Sequence, residues 1–388
     1  MSRSPTPNPR PLRAVFVDVP LMYSSGVTQV LYKLARYKQA DLLEMSIASL
    51  DTPQKAMVEI LKGDDVEVNH LGNSGVLISA LALRRVMNRR SIDVVVANSF
   101  RSYLVAKAAA LGSGTPVVYW VHTINQILTS RFRKLLYPLL TKNDPLLYVS
   151  QSVLENNRPA GHRGEDMVIY NSVEPPEIMP EWQPYPPEKR AEFDLPADAI
   201  VLGYTANFAT YKDHPTLLRA FDSLSKRYQN LYLVLVGDGR TLDPARAQAK
   251  QFAASDRIRF LGTRHDARAL LGLVDVYVHV SPEEAFGLAV VEAMLARRPV
   301  VAARAFALPE LIRDGETGVL FEPGDAKDLE RQVIRMIEDR AYAERLAHAG
   351  DLECRRRFPP EPFARQVTEF LYSVLSARSA RTLAGEQA

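Results

Sequence analysis

Two carboxylates, Glu284 and Glu292, stand with seven residues between them in the run 280–299, VSPEEAFGLAVVEAMLARRP. A carboxylate accepts two hydrogen bonds and so suits a pair of neighbouring hydroxyls. Between the acids lies Phe286-Gly287-Leu288, where the glycine lets the backbone come close to a ligand. Residues 273–280 are apolar and valine-rich and read as a strand, ended by Pro282. Residues 288–295 read as helix, with Leu288, Val291 and Leu295 at helical spacing. Strand, turn and helix start form the place where open α/β sheets bind ligands. The N–H groups of Phe286, Gly287 and Leu288 would project from the first helical turn and suit a phosphate or a sugar hydroxyl. Glu292 lies about one and a half turns past Gly287, roughly 7–8 Å along the axis. The two acids therefore reach two ends of a ligand as long as a nucleotide sugar, not one atom of it. Taken singly, Glu284 also reads as an N-terminal helix charge and Glu292 as a solvated helix residue.

Three further positions sit at strand-to-helix junctions. Lys212 lies in residues 204–215, between a strand and a helix, with Asn207 five residues before it. His122 ends the strand 117–122 at its carboxyl edge, and a histidine there hydrogen-bonds a hydroxyl or orients a second substrate. Gly26 follows the first buried strand, 13–19, and precedes a helical pattern over 28–37, which makes another potential phosphate site or only a turn. Gly237-Asp238-Gly239 reads as a strand-end turn. The chain has no Asp-x-Asp, no histidine pair at metal spacing and no Gly-x-Gly-x-x-Gly after a strand. Nothing in it asks for a metal, and an NAD-dependent reaction is disfavoured.

The elements that would position these residues alternate. Strand-like segments at 43–48, 66–70, 93–97, 116–122, 146–150 and 167–170 alternate with helical ones at 77–88 and 103–110, the pattern of a parallel sheet covered on both faces. Six prolines between 174 and 187 make a stiff connection. The alternation then restarts, with strands at 200–205, 231–236, 258–261, 273–280, 300–303 and 317–321. Helices are read at 214–228, 267–273, 288–295, 325–337 and 341–357.

The chain of 388 residues is long enough for two domains, with 47% hydrophobic and 24% charged residues. Its one cysteine, Cys354, excludes an internal disulfide and a cysteine-built zinc site. No run is long and apolar enough for a membrane span, and the first residues lack a signal peptide's apolar segment, so a cytoplasmic protein is expected. The net charge of +3 divides into +5 over residues 1–180 (20 Lys and Arg, 15 Asp and Glu) and −2 over the rest (28 and 30). The first half is thus the one to meet an acidic partner. Leu128, Phe132, Leu135, Leu136 and Leu139 fall on one helical arc beside Arg131, Arg133 and Lys134, a pattern suited to peripheral contact with the inner face of a membrane, although Pro138 interrupts it.

The stretch 284–292 resembles the signature of retaining glycosyltransferases of family 4, in which Phe-Gly-Leu follows the first acid by two. The resemblance extends over nearly all the chain and is strongest from about residue 200 to 339. It implies an α/β fold of GT-B type, two Rossmann-like domains facing across a cleft. The corresponding division is a disordered 1–11, an acceptor domain 12–174, a connection 175–199, a donor domain 200–360 and a C-terminal helix 361–388 returning to the first domain. Asn171-Ser-Val-Glu matches the family's Asn-Gly-Val-Asp turn with two changes. The resemblance assigns Glu284 and the Phe286, Gly287 and Leu288 amides to the donor sugar and its β-phosphate, and Glu292 to the ribose hydroxyls. It gives Lys212 the leaving diphosphate, and it places His122 near the reacting bond and Gly26 near the donor phosphates. Where the family has an arginine five or six residues before the lysine, this chain has Asn207 or a neighbour, and an amide brings no charge.

The implied activity moves a hexose or related sugar from a nucleotide diphosphate sugar to a hydroxyl, without metal or cofactor, in bacterial-type glycoconjugate or polysaccharide synthesis. Its acceptor would be a sugar, a lipid-linked molecule or a small molecule, and not a nucleic acid. A nucleotide-sugar epimerase of the same fold, or a non-catalytic nucleotide-sugar binding subunit, are the alternatives.

Overall fold

In the computed structural model the described residues are 10–18, 21–22, 25–72, 74–124, 131–175 and 187–385. Most of the N-terminal stretch 1–11, most of the prolines of the connection and Leu128 lie outside them. The chain divides into two compact units, Met1–Ser172 with Pro360–Ala388, and Val173–Pro359.

The first unit runs β1 (Leu12–Asp18), α1 (Gly26–Tyr37), β2 (Leu43–Ser49), α2 (Lys55–Gly63), β3 (Glu67–His70), α3 (Val76–Arg90) and β4 (Val94–Ala97). It continues through α4 (Phe100–Ala110), β5 (Val117–Val121), α5 (Arg131–Thr141), β6 (Leu146–Tyr148), α6 (Gln151–Asn157) and β7 (Asp166–Val168). The seven strands are parallel in the order β3-β2-β1-β4-β5-β6-β7. Strands β4 (VVVA) and β5 (VVYWV) are buried along their whole length, as strands covered on both faces must be. Helices start at the carboxyl edge on polar caps. The Ser25 hydroxyl accepts from the Thr28 amide, Ser150 from Val153, and Ser99 shares a capping box with Ser102. The cap at Ser25 makes Gly26 the first helical residue of α1, not a loop residue as the sequence suggested.

The second unit contains α7 (Pro187–Ala191), β8 (Ile200–Thr205), α8 (His214–Arg227), β9 (Leu231–Val236), α9 (Leu242–Ala249), β10 (Ile258–Phe260) and β11 (Val276–His279). Then follow α10 (Leu288–Leu295), β12 (Val300–Ala303), α11 (Leu308–Leu311), β13 (Val319–Phe321), α12 (Ala326–Glu338) and α13 (Arg340–Arg357). Its six strands are parallel in the order β10-β9-β8-β11-β12-β13. Each unit is thus a Rossmann-like α/β layer structure. The last helix, α14 (Pro360–Gly385), packs in the first unit, where Tyr372 donates to the Leu42 carbonyl and Phe363 lies beside Trp120.

Two sequence assignments in the second unit change. The helix read at 267–273 is a 3-10 helix over Ala269–Leu273, in which Leu270, Leu271 and Leu273 are all buried. Burying three positions so close together leaves no solvent face for an α-helix, and Gly272 lowers helical propensity further. The strand read from 273 accordingly starts only at Val276. The stretch 187–199, read as part of the connection, belongs to the core of the second unit: Leu195 and Ala199 pack with Val201, Val234 and Leu273. The buried Arg190 donates to the Ala199 carbonyl at 2.7 Å and faces Asp275 at 3.3 Å.

Candidate functional site

Two loops at the carboxyl edge of the second sheet, those after β8 and β11, meet at Glu284. The turn after β8 carries Lys212 in a 3-10 helix, Thr210–Lys212. The hydroxyl of buried Tyr204 holds this turn by donating to the Lys212 carbonyl at 2.9 Å. The hydroxyl of Ser281 reaches the carbonyls of Tyr211 at 3.1 Å and Glu283 at 2.8 Å, so the lysine loop and the glutamate loop are laced together. Lys212 Nζ then stands 2.6 Å from Glu284 Oε2, and His279 Nε2, on the last residue of β11, stands 3.0 Å from the same oxygen.

Burial alone would raise the carboxyl's pKa. The Lys212 charge and the His279 hydrogen bond outweigh it and bring Glu284 down to about 2. His279 is 2% exposed; its desolvation lowers its own pKa in spite of Glu284, so the ring is neutral and donates through Nε2. Oxygen Oε2 is occupied by two donors. Oxygen Oε1 has no partner among the described residues and is the acceptor this site offers.

Gly287 follows in a left-handed conformation, φ +102°, as the N-cap of α10. A β-carbon there would come within 3.2 Å of both Leu308 and Leu311, so the position needs glycine on two counts. The helix it starts presents first-turn amides that have no partner inside the helix. Glu292, one turn further, is held by Arg268 Nε at 2.8 Å on Oε1, and Arg268 also faces Glu174 at 3.7 Å. The second acid is therefore oriented by an arginine and is not the solvated helix residue that the sequence also allowed.

Asn207 is exposed, and its carbonyl accepts from the Ala209 amide at 2.9 Å. The backbone of residues 206–208 lies against Gly237 and Gly239, where β-carbons would come within 2.0 Å of the Ala206 oxygen and 2.4 Å of the Phe208 oxygen. The two glycines thus dock the loop after β9 onto the loop after β8. This docking carries Arg240 across, and its guanidinium donates to the Thr210 hydroxyl at 3.1 Å. A cation therefore stands at the head of the Lys212 turn although position 207 has none.

In the first unit, His122 follows the last residue of β5. Its Nε2 lies 3.0 Å from Asn98 Oδ1, while the Asn98 amide donates to the Val17 carbonyl at 3.2 Å. An amide oxygen can only accept, so His122 carries its proton on Nε2 and its Nδ1 is left as an acceptor. Desolvation lowers the His122 pKa to about 3 and keeps the ring neutral. Gly26 lies at the same edge of its own sheet.

Residues 186–352 match the family model for glycosyl transferases group 1, and residues 24–176 match that for glycosyltransferase family 4. The chain belongs to glycosyltransferase family 4. Among curated relatives, a lipopolysaccharide core biosynthesis glycosyltransferase, LpsE of Rhizobium meliloti, is 35% identical over 161 residues, 42% of this chain and 46% of the relative. The N-acetyl-alpha-D-glucosaminyl L-malate synthase of Bacillus anthracis is 27% identical over 186 residues, 48% and 49% of the two chains. The chain thus spans about half the length of the curated relatives it matches. Among solved structures, Anabaena Alr3699/HepE in complex with UDP-glucose superposes with a TM-score of 0.81 at 23% identity, covering 93% of this chain and all of that one. Sucrose-phosphate synthase from Thermosynechococcus elongatus gives 0.77 at 19% identity, covering 94% and 100%. The fold of this family 4 chain is GT-B.

The signature carboxylates were readable from sequence in this family 4 chain, but the side chains that set their state were not. Lys212 and Glu284 are 72 residues apart and meet only through the sheet. His279 was readable only as a polar residue inside an apolar strand. Arg240 was concealed behind a glycine turn, and Asn98 and Arg268 carried no motif.

Proposed function

We propose that this family 4 chain transfers a sugar from a nucleoside diphosphate sugar to a hydroxyl, with retention at the anomeric carbon. The observation that carries the reading is the Glu284 carboxylate, with one oxygen occupied by Lys212 and His279 and the other left to accept from a sugar hydroxyl. The bound UDP-glucose of the Alr3699/HepE structure supports a donor of this class.

In this reading Lys212, Arg240 and the first amides of α10 supply positive potential where the diphosphate leaves, the point at which preorganised donors matter most. Glu292, oriented by Arg268, accepts from the ribose hydroxyls. The Nδ1 lone pair of His122 accepts from a hydroxyl of sugar or acceptor. The bond between the anomeric carbon and the phosphate oxygen breaks as the acceptor oxygen bonds to the same face. The acceptor's proton passes to the departing phosphate, and bond formation on the face that the phosphate leaves preserves the anomeric configuration. Side chains and helix amides carry the diphosphate charge, so the scheme requires no metal or cofactor. The relationship to a lipopolysaccharide core enzyme supports a bacterial glycoconjugate or polysaccharide as product, made on the cytoplasmic side.

Incubation with a panel of nucleoside diphosphate sugars tests this. The wild type should release nucleoside diphosphate slowly, and Glu284→Gln should lower that rate about ten- to a hundredfold, the cost of a hydrogen bond to a charged group. Anomeric proton couplings of the product report retention. Isomerised sugar without release would identify an epimerase, and binding without turnover a binding subunit.

A further inference from the structure

Resting on the donor reading above, we propose that Phe306 is a specificity residue of the same site, its ring a wall for the carbon face of the transferred sugar. The residue follows β12 at the carboxyl edge of the second sheet, in the stretch 304–308, Arg-Ala-Phe-Ala-Leu. Its φ is +46°. Among the described residues six that are not glycine have a positive φ, and Phe306 is the one aromatic; the others are Asp65, Asp194, Asp213, Ser91 and Arg297. A short polar side chain supports that conformation by hydrogen bonding to nearby backbone, whereas a bulky apolar one brings no such compensation.

The Leu308 N–H closes the turn by donating to the Ala305 carbonyl at 3.1 Å. Its central residues are Phe306, with φ +46°, and Ala307, with φ −74° and ψ −13°. That is the sign pattern of a type II′ turn, whose first central position calls for glycine. Contacts on both sides hold the turn in place. The Arg304 N–H donates to the Phe321 carbonyl at 2.8 Å, the Ala305 N–H to the Ala303 carbonyl at 2.8 Å, and the Ala307 N–H to the Glu284 carbonyl at 3.2 Å. Ala307 and Leu308 are fully buried, and Leu308 is one of the two leucines that face Gly287. The turn is therefore fixed to both ends of the motif that runs from Glu284 to Gly287.

Phe306 itself is only half-buried, whereas Phe208, Phe221, Phe286, Phe321 and Phe358 of the same unit are buried. A phenylalanine kept for the core would be covered like these, and one kept for nothing would not hold a backbone that costs energy. Strain of this kind collects at ligand clamps, where the surrounding contacts over-determine it. What adjoins the turn is Glu284, which the reading above gives to a sugar hydroxyl. A sugar ring turns hydroxyls outward from its edge and C–H groups from its faces. A carboxylate at the edge and an aromatic ring against a face serve both, and the face contact removes apolar surface of both partners from water. Glycine would make the turn without strain but leave that face of the sugar to solvent.

The test is calorimetry on the full chain, with UDP-glucose, UDP-galactose, UDP-N-acetylglucosamine and GDP-mannose each titrated beside its own nucleoside diphosphate. The readout is the ratio of the two affinities, which isolates the sugar. Covering about 60 Å² of apolar surface is worth roughly tenfold, so Phe306→Gly and Phe306→Ala should both lower that ratio about tenfold for the donor that the wild type binds. Affinity for the nucleoside diphosphate alone should not change. Phe306→Tyr keeps the ring face and should keep the ratio. Strain is read separately, from the thermal midpoint of the second unit. Both small variants lose the ring and only Phe306→Ala keeps a β-carbon at positive φ, so Phe306→Gly should melt higher than Phe306→Ala by about 2–4 °C. An unchanged ratio in both small variants, an equal loss for donor and nucleoside diphosphate, a lost ratio in Phe306→Tyr, or Phe306→Gly melting no higher than Phe306→Ala would overturn the proposal. A wild type that binds none of the four donors would overturn the donor reading and this proposal with it, whereas donors bound and hydrolysed with an unchanged ratio would remove the ring alone.

Discussion

Replacing Lys212 by methionine keeps the side chain's length and removes its charge, leaving Glu284 with His279 as its described partner. The carboxyl sits at about 2 against an ordinary 4.5. That fall corresponds to roughly 3 kcal/mol in favour of the charged form, at about 1.4 kcal/mol per pKa unit. Desolvation opposes it, so the combined attraction of Lys212 and His279 is larger than this net. Removing one member of a buried pair costs about 3–5 kcal/mol; with Glu284 still 14% exposed, the lower end, about 3 kcal/mol at pH 7.5, is the expected loss. The assay is urea denaturation followed by circular dichroism, and the transition that moves should be that of the second unit. Adding Glu284→Gln removes the stranded charge and should recover most of the loss. The sign with pH follows from the depressed pKa. In the wild type this stabilisation is present above about 4.5 and disappears as pH falls through about 2. The gap between wild type and Lys212→Met should therefore persist at pH 7.5 and narrow in acid. A loss below about 1 kcal/mol, or a double variant no more stable than the single one, would refute the idea of a buried, charge-coupled site.

Three other outcomes follow from the geometry. His122 sits at about 3 and His214 at about 4, both lowered first by desolvation from 6.5; below pH 6.5 the unfolded chain binds more protons, so stability should fall as pH drops toward 4, by about 1.4 kcal/mol per pH unit for each histidine. A flat unfolding free energy between pH 7 and 5 would contradict the buried neutral rings. Arg240→Gln should weaken nucleoside diphosphate binding about ten- to a hundredfold in calorimetry while leaving the nucleoside unchanged, and Asn207→Arg in that background should restore it; equal loss for both ligands would remove Arg240 from the diphosphate. Gly287→Ala, with its left-handed backbone and two leucine contacts, should cost about 1–3 kcal/mol and lower donor affinity, and an unchanged thermal midpoint would mean that α10 can start in another way.

The alternation of apolar strands with helical patterns made both sheets legible, because strands buried on both faces must be apolar along their length and β5 leaves no ambiguity. The loops were less legible, for a physical reason. Local pattern reports burial, whereas a loop's conformation depends on what it docks against. Gly237 and Gly239 read as a strand-end turn, yet their lack of a β-carbon is what admits the 206–208 backbone and delivers Arg240. The proline-rich stretch gave no sign that Arg190 and Leu195 belong to a core, because two buried side chains in an aperiodic segment form no pattern. At the site, Glu284, Gly287 and Glu292 stood in one local motif. The partners that fix their protonation and orientation come from other strands, and pairing across a sheet cannot be read along the chain.

The return of α14 to the first unit fixes an order of events on the ribosome. The second unit is contiguous, Val173–Pro359, and is complete as soon as its own residues emerge. The first begins earlier but lacks a helix until Pro360 and beyond are made, so at about 5–20 residues per second it waits roughly 10–40 s after residue 172. Throughout that interval the sites of Trp120 and Leu42 that receive Phe363 and Tyr372 remain uncovered. The half of the chain that starts first therefore finishes last, and a nascent chain stalled before residue 360 should hold a folded second unit beside a first unit open to holdase chaperones and proteases.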